Sequence, residues 1–522
     1  MAEEHWHQAR LIPTSGINGQ DEAERRATSA LLAVVSAVRE FGAAIARPLG
    51  APAGQLSTFI EVPFPLGDRT VQPDGVIQTS RAGRQWTALV EVKTSDAVLQ
   101  REQIEAYLDV AREAGFDAVL TISNQIESAP GVHPVEVDRR KLKRVALHHL
   151  SWAEILTIAV QQRVHRGVSD PDQAWILAEL IRYLEHPKSG ALDFTDMGSS
   201  WVTVRESLLA GTLRQNDKGL GEVISRWEQL LRFAALRMGR ELGADVQVAL
   251  SRKEVADPSL RCQEQTASLV TKGALHGSLR IPDAIGPLTV VADVRAGTVT
   301  VSIDADAPRE GRPTTRVSWL TRQLKDAPDG LRIEAWSVNS RTSTSELLRA
   351  VREDPSVLID DPTKDPRAFR ISAVSAIGTK RGTGRGSYID SVLAAIDGMY
   401  STVVQNLRPW VSRAPQLPRG AQSAAEAAGI DLTPPPADLQ EEEDPSENST
   451  FVAAAAATIT DVENDQAVED GLPEVVPPSP VLEDGDVLTV WGDAQEKLDR
   501  ERVTEDIAEK HNVEPADAIT WS

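Results

Sequence analysis

Pro73–Lys93 reads PDGVIQTSRAGRQWTALVEVK, and the N-terminal part of the chain is decoded from its two ends. Asp74–Thr79 (DGVIQT) and Trp86–Lys93 (WTALVEVK) are strand-like runs joined by the polar turn Ser80–Gln85, which contains Gly83, so the stretch predicts a β-hairpin. Residues i and i+2 of a strand share a face. Glu91 and Lys93 therefore point the same way, while Val92 faces the opposite layer. The hairpin places two carboxylates, Asp74 and Glu91, and one amine, Lys93, at neighbouring strand ends. Mg²⁺ prefers oxygen ligands and is usually held by only one or two protein carboxylates together with substrate phosphate. A bound ion of this kind lowers the pKa of its water and neutralises charge developing on a phosphate. Asp74 and Glu91 are accordingly the candidate metal ligands, for Mg²⁺ with Mn²⁺ as a substitute, and Lys93 is the candidate electrostatic and water-orienting group. The same letters also occur by chance in surface hairpins, so the flanking segments carry weight.

Upstream, Asp21–Val38 (DEAERRATSALLAVVSAV) has the period of an amphipathic helix, with a stripe at Ala27/Thr28, Leu31, Val35 and Val38. Glu24 falls on that stripe, where an acid is costly unless something pairs with it. Glu22 lies roughly 200° away around the helix. A solvated acid in the first helical turn is the competing reading of Glu24. Three runs read as strands: Thr58–Phe64 and the two arms of the hairpin. Leu99–Ala114 (LQREQIEAYLDVAREA) is helical, Phe116–Ile122 a buried strand, and Arg144–His149 a further short strand. A helix then opens at Ser151, with Glu154 placed for a capping box. Gln103 and Tyr107, four apart, share one face of the Leu99–Ala114 helix.

The order α-β-β-β-α-β with Pro73-Asp74 and Glu91-Val92-Lys93 resembles the PD-(D/E)XK, restriction-endonuclease-like nuclease superfamily over about residues 11–165. That resemblance implies an α/β fold with an αβββαβ core and a metal-dependent nuclease. It also implies that the first helix supplies Glu24 as an outer acid. The spacing of Gln103 and Tyr107 is similar to the Q-x-x-x-Y element of the exonuclease-like branch, which implies that these two side chains position substrate. Ala9–Val34, beginning ARLIPTSG, also looks like actinobacterial proteins labelled stress-response proteins, a label that implies little chemistry. The alternative from another class is a catalytically silent scaffold or regulatory binding protein that keeps the nuclease fold.

The chain has 522 residues and a net charge of −22. At roughly 100–200 residues per domain, that length implies two or three domains. Val411–Ser522 holds 26 acids against 6 bases, a net of −20, so residues 1–410 are close to neutral. A near-neutral domain can bind nucleic acid through a local basic patch, and the low overall pI does not argue against it. One cysteine, Cys262, excludes an internal disulfide framework and a Cys-based zinc site. The start MAEEHWHQAR has no basic region followed by an apolar core, and no segment approaches the roughly 20 apolar residues of a membrane span. A cytoplasmic protein without membrane contact is expected.

Residues 1–190 are expected to form the nuclease-like domain with appended helices, among them Asp172–Leu184, and 191–219 a linker. Residues 220–412 are expected to form a separate α+β domain. There Glu222–Leu242 reads as a helix, Ser268–Lys272, Ser278–Ile281, Leu288–Arg295, Thr298–Ile303, Leu331–Val338 and Phe369–Val374 as strands, and Tyr388–Leu407 as a closing helix. Its chemistry-bearing stretch is Thr379–Ser387 (TKRGTGRGS). Glycines permit close backbone approach and Lys380, Arg381 and Arg385 attract phosphate, but the GK[ST] ending of a P-loop is missing. A mobile basic loop is the competing reading. Residues 413–522 have the composition of a disordered acidic tail, with a short amphipathic helix at 493–511. Expected partners are nucleic acid, DNA ahead of RNA, and a protein docking on the tail, with homodimerisation left open.

Overall fold

A computed structural model describes residues 7–8, 20–127 and 131–412. The acidic tail and its 493–511 helix lie outside the described residues. The chain is a mixed α/β protein with two large sheets. Among the described residues no single helix is long and apolar enough to cross a membrane.

The N-terminal half runs β1 (His7–Gln8), α1 (Gln20–Ala37), α2 (Arg39–Ala46), β2 (Leu56–Ile60), the small hairpin β3 (Phe64–Leu66) and β4 (Arg69–Val71), then β5 (Gly75–Arg81) and β6 (Arg84–Val92). It continues through α3 (Arg101–Ala114), β7 (Ala118–Ser123), β8 (Ala146–Ser151), α4 (Trp152–Val160) and α5 (Pro171–Glu185). The sheet order is β1-β2-β5-β6-β7-β8. Pairing is antiparallel as far as β6 and parallel from β6 through β8. A parallel neighbour requires a crossover, and α3 supplies it between β6 and β7. The stripe Ala27, Leu31, Val35 and Val38 packs on one face of the sheet against Ile77, Val90 and Leu120, together with Phe41, Trp152 and Leu180. Ile104, Tyr107, Leu108 and Ala111 of α3 cover Val76, Leu89 and Val119 on the other face. Central strands buried on both faces explain the near-continuous apolar spelling of this segment.

Two local expectations are corrected here. The strand expected over Thr58–Phe64 is broken, because Glu61 takes a left-handed φ of 51° just before Pro63, and Phe64 starts the separate β3–β4 hairpin. Ser151 caps α4 by accepting from Glu154 N at 3.1 Å, but the Glu154 carboxylate does not complete the box. It pairs instead with Arg232 at 3.1 Å.

The C-terminal half consists of α6 (Trp201–Leu209), α7 (Leu220–Leu242), β9 (Gln247–Val248), α8 (Arg252–Ala256), α9 (Pro258–Lys272), β10 (Ala274–Arg280), β11 (Leu288–Asp293) and β12 (Thr298–Asp306). Then follow α10 (Pro313–Gln323), β13 (Arg332–Ser337), β14 (Ser343–Leu347), α11 (Leu348–Glu353), β15 (Pro366–Ala376) and α12 (Tyr388–Thr402). Its seven strands pair antiparallel in the order β14-β13-β15-β12-β11-β10-β9. The strand expected at Ser268–Lys272 is the end of α9, which Asp257 and Pro258 start and Gly273, at φ 78°, stops. The stretch 191–219, expected as a linker, contains α6, whose Trp201, Val204 and Leu208 are buried in the core of this half. Polar spacing hid a helix that contributes only three apolar anchors.

The halves are docked rather than loosely tethered, and both lie within one compact unit. Thr157 donates to Leu236 O at 3.2 Å, and Gln161 Nε2 donates to Gly239 O and Ala244 O, each at 2.9 Å. Gly75, next to Asp74, marks the tightest approach around the hairpin. A Cβ there would lie 2.3 Å from Leu32 Cδ1 and 3.2 Å from Phe59 O, and Leu32 is itself fully buried. Gly75→Ala is expected to destabilise the protein by about 1–3 kcal/mol through overpacking. Denaturant titration should show a lower midpoint at unchanged m-value, and an unchanged midpoint would contradict this packing.

Candidate metal and active site

Four side chains from three segments meet at one end of the first sheet. Glu24 comes from the N-terminal part of α1, Asp74 from the residue before β5, Glu91 from the end of β6, and Lys93 from one residue beyond it. The register Gly75↔Val90 sets Asp74 beside Glu91. One ligand oxygen each of Glu24, Asp74 and Glu91 lies within 4.8 Å of the other two. Lys93 Nζ stands 2.6 Å from Glu24 Oε1 and 2.6 Å from Glu91 Oε1. Asp74 Oδ2 accepts from Val92 N at 2.8 Å. The strand end carrying Lys93 is itself fixed, since Lys93 N donates to Ile122 O at 2.7 Å and Trp152 Nε1 donates to Lys93 O at 2.9 Å.

Glu91 is 1% exposed, and the Lys93 contact to it is an ion pair off the direction of a hydrogen bond. Both its oxygens therefore lack a well-directed donor. A buried carboxylate in that state is costly, and one ammonium shared with Glu24 offsets only part of the cost. The Lys93 and Glu24 side chains are 15% and 21% exposed, so the cluster opens to solvent on that edge. Burial, then the Glu91 charge, pushes the Asp74 carboxyl well above its ordinary value, against the Val92 amide and Lys93, which pull it down. Burial likewise raises Glu91, opposed chiefly by Lys93. Burial alone would lower Lys93, but Glu91, Glu24 and Asp74 outweigh it and push the amine up, so it stays charged across the neutral range. Three carboxylates around one amine leave acid in excess of cation, and carboxylate oxygens are the preferred partners of a hard divalent ion, which would compete with Lys93 for them.

Gln103 and Tyr107 meet as their spacing predicts, with Gln103 Nε2 donating to Tyr107 Oη at 2.9 Å. Tyr107 is, however, only 2% exposed and packed in the core beneath the site. Its hydroxyl reaches Gln72 O at 3.3 Å and also faces Glu91, and burial with that charge raises its pKa. This tyrosine supports the carboxylate from behind. Lys380, Arg381 and Arg385 lie in the C-terminal half, outside the carboxylate cluster.

Sequence reading missed two contributors. Trp152, recognisable only as an apolar residue opening a helix, holds the backbone of Lys93. Beside Glu91 a polar row runs across the parallel strands, because Glu91 pairs with Thr121 and Thr121 with His149. Thr121 Oγ1 bonds His133 Nε2 at 2.8 Å and His149 Nδ1 at 2.9 Å, and His149 Nε2 reaches Gln125 O at 2.7 Å. Burial lowers both imidazoles, His149 to about 4, so the row is neutral at pH 7. The only sequence signal for it was a threonine and a histidine in otherwise apolar strands, with a second histidine in the loop between them.

Compared with protein-family models, curated proteins and solved structures, the chain gives no match.

The raised carboxyls set the sign of a pH effect. A folded-state carboxyl pKa above the unfolded value means that the folded protein holds the proton longer, so stability is lost as pH rises through that range. In EDTA, Asp74→Asn removes this contribution, and its melting temperature relative to wild type should climb from pH 4 towards pH 8. A difference that is flat or falls with pH would contradict the buried-charge account.

Proposed function

We propose that the chain is a metal-dependent nuclease with a restriction-endonuclease-like αβββαβ core, which hydrolyses phosphodiester bonds in DNA in the cytoplasm. One observation carries the reading: Glu24, Asp74 and Glu91, separated by up to 67 positions in sequence, converge within 4.8 Å around a lysine that is already ion-paired to two of them. Asp74 and Glu91 would hold Mg²⁺ or Mn²⁺, with Glu24 at the outer edge. Such an ion lowers the pKa of its water and neutralises charge developing on the attacked phosphate. Lys93, kept protonated by the surrounding acids, would donate to a phosphate oxygen or orient the attacking water. Glu24 restrains the amine from the open side, while Tyr107 packs beneath Glu91 and the Val92 amide keeps Asp74 from turning away. The mixed α/β topology, with α3 as the crossover between β6 and β7, supports the reading.

The same ion pairs favour a second reading. Lys93 already pairs with Glu24 and Glu91, so a site permanently closed by its amine would belong to a non-catalytic scaffold. Isothermal titration with Mg²⁺ separates the two. The nuclease binds the ion, and Asp74→Ala loses that binding; a scaffold gives no heat, or the same heat in both.

With linear and circular DNA, the wild type should cut in Mg²⁺ or Mn²⁺ and stop in EDTA. Lys93→Met should keep the metal, bind it more tightly because a competing cation is gone, and cut about 10²–10³-fold more slowly, the usual range for loss of one electrostatic donor to developing charge. Lys93→Met activity equal to wild type would remove the lysine from the mechanism.

A further inference from the structure

The glycine-rich loop Thr379–Ser387 is a built element tied, through the segment 190–197, to the strand end that carries Lys93. Gly190 O accepts from Ser95 N at 2.8 Å, two residues beyond Lys93. The Asn124 side chain clamps the same place, donating to Ser95 O at 2.9 Å and Gly190 O at 2.8 Å and accepting from Leu192 N at 2.7 Å. From there the chain leads to Asp196, which bridges Gly382, and to Met197, whose N donates to Arg381 O at 2.9 Å. Arg381 pairs with Asp196 at 3.2 Å, and Trp201 Nε1 donates to Thr379 O at 3.0 Å from beneath.

The loop closes on itself as well. Thr379 N and Lys380 N both donate to Gly386 O at 3.0 Å. Gly384 and Gly386 take φ of 95° and 78°, and a Cβ on Gly378 would lie 2.1 Å from Ser387 O, so the closure needs these glycines. Asp196 occupies Arg381, and the Asp390 carboxylate accepts from Gly384 N at 2.6 Å. Lys380 and Arg385 are left exposed, and among the described residues neither has a side-chain partner.

Following the chain from Lys93 through the Gly190 clamp to Gly382 gives an upper limit of roughly 40 Å, at about 3.3–3.6 Å per residue. That is little more than one turn of duplex DNA, ~34–36 Å. We infer that the Lys380/Arg385 loop is a DNA-backbone grip that holds the phosphates of the strand flanking the one presented to Asp74, Glu91 and Lys93. The inference rests on the nuclease reading for its substrate. Paired charges anchor the loop, free charges face solvent, and the strap ties both to the strand end that carries Lys93. Cations on phosphates contribute affinity without sequence preference and release counterions, which makes the contribution visible in salt dependence.

The test uses the full chain carrying Asp74→Asn, so that DNA is bound and not cut. Anisotropy of a fluorescent 20-base-pair duplex is measured across a NaCl series in EDTA. Adding Lys380→Ala with Arg385→Ala should weaken binding and make the slope of log K against log[NaCl] shallower by about 1–2, at ~0.9 per lost phosphate contact. Lys325→Ala with Lys364→Ala, an equal change of charge elsewhere, should leave the slope unchanged. Unchanged affinity and slope in the loop variant, or an equal effect in the control pair, would overturn the grip. Because binding is read and not cutting, a wild type that cleaves nothing would sink the nuclease reading alone.

Discussion

Three carboxylates and one amine share the space at the end of β6, and most of the surrounding architecture serves to keep them there. At an effective dielectric near 20, two carboxylates separated by under 5 Å repel by on the order of 3 kcal/mol. Glu91 adds the cost of burial, with both oxygens lacking a well-directed donor. Lys93 offsets part of this, and raised carboxyl pKa values are the remainder expressed as proton affinity. A fold maintains such an arrangement only if the backbone around it is fixed independently.

That fixation is visible from every side. The β5–β6 register aligns Asp74 with Glu91, and Gly75 lets α1 approach closely enough to deliver Glu24. Trp152 and Ile122 hold the backbone of Lys93, so its side chain has a defined origin. Tyr107 and Gln103 form the floor of the cluster, and the neutral pair Thr121 and His149 continues it across the parallel strands, with His133 closing it from the loop between them. The second half reaches the same strand end through Gly190, Asn124 and the strap to the Arg381 loop.

The hairpin, the helices flanking it and the acid on α1 were legible because each is a local pattern: period two in Trp86–Lys93, and a period of 3.6 in Asp21–Val38 and Leu99–Ala114. Gln103 and Tyr107 were legible as a pair, while the burial of Tyr107 was not, since helical spacing reports a shared face and not which layer that face meets. Glu61 broke a strand through a left-handed backbone that no residue type announced. Gly273, which could have been read as a helix stop, marked the end of α9, while the β-branched letters just before it suggested a strand. Helix α6 was missed because three apolar anchors among polar residues fall below any periodic signal. Trp152, Thr121 and the two histidines act through tertiary neighbours far away in sequence, and such pairings have no spelling.

The account stands on a divalent ion being the missing partner of Asp74 and Glu91. Crystals of the wild type grown with Mn²⁺ and measured for anomalous scattering test that directly. The account predicts a peak coordinated by Asp74 and Glu91, with Glu24 beside it and Lys93 Nζ drawn away from Glu91. Absence of a peak at saturating Mn²⁺, with Lys93 still joining Glu24 to Glu91, would contradict it.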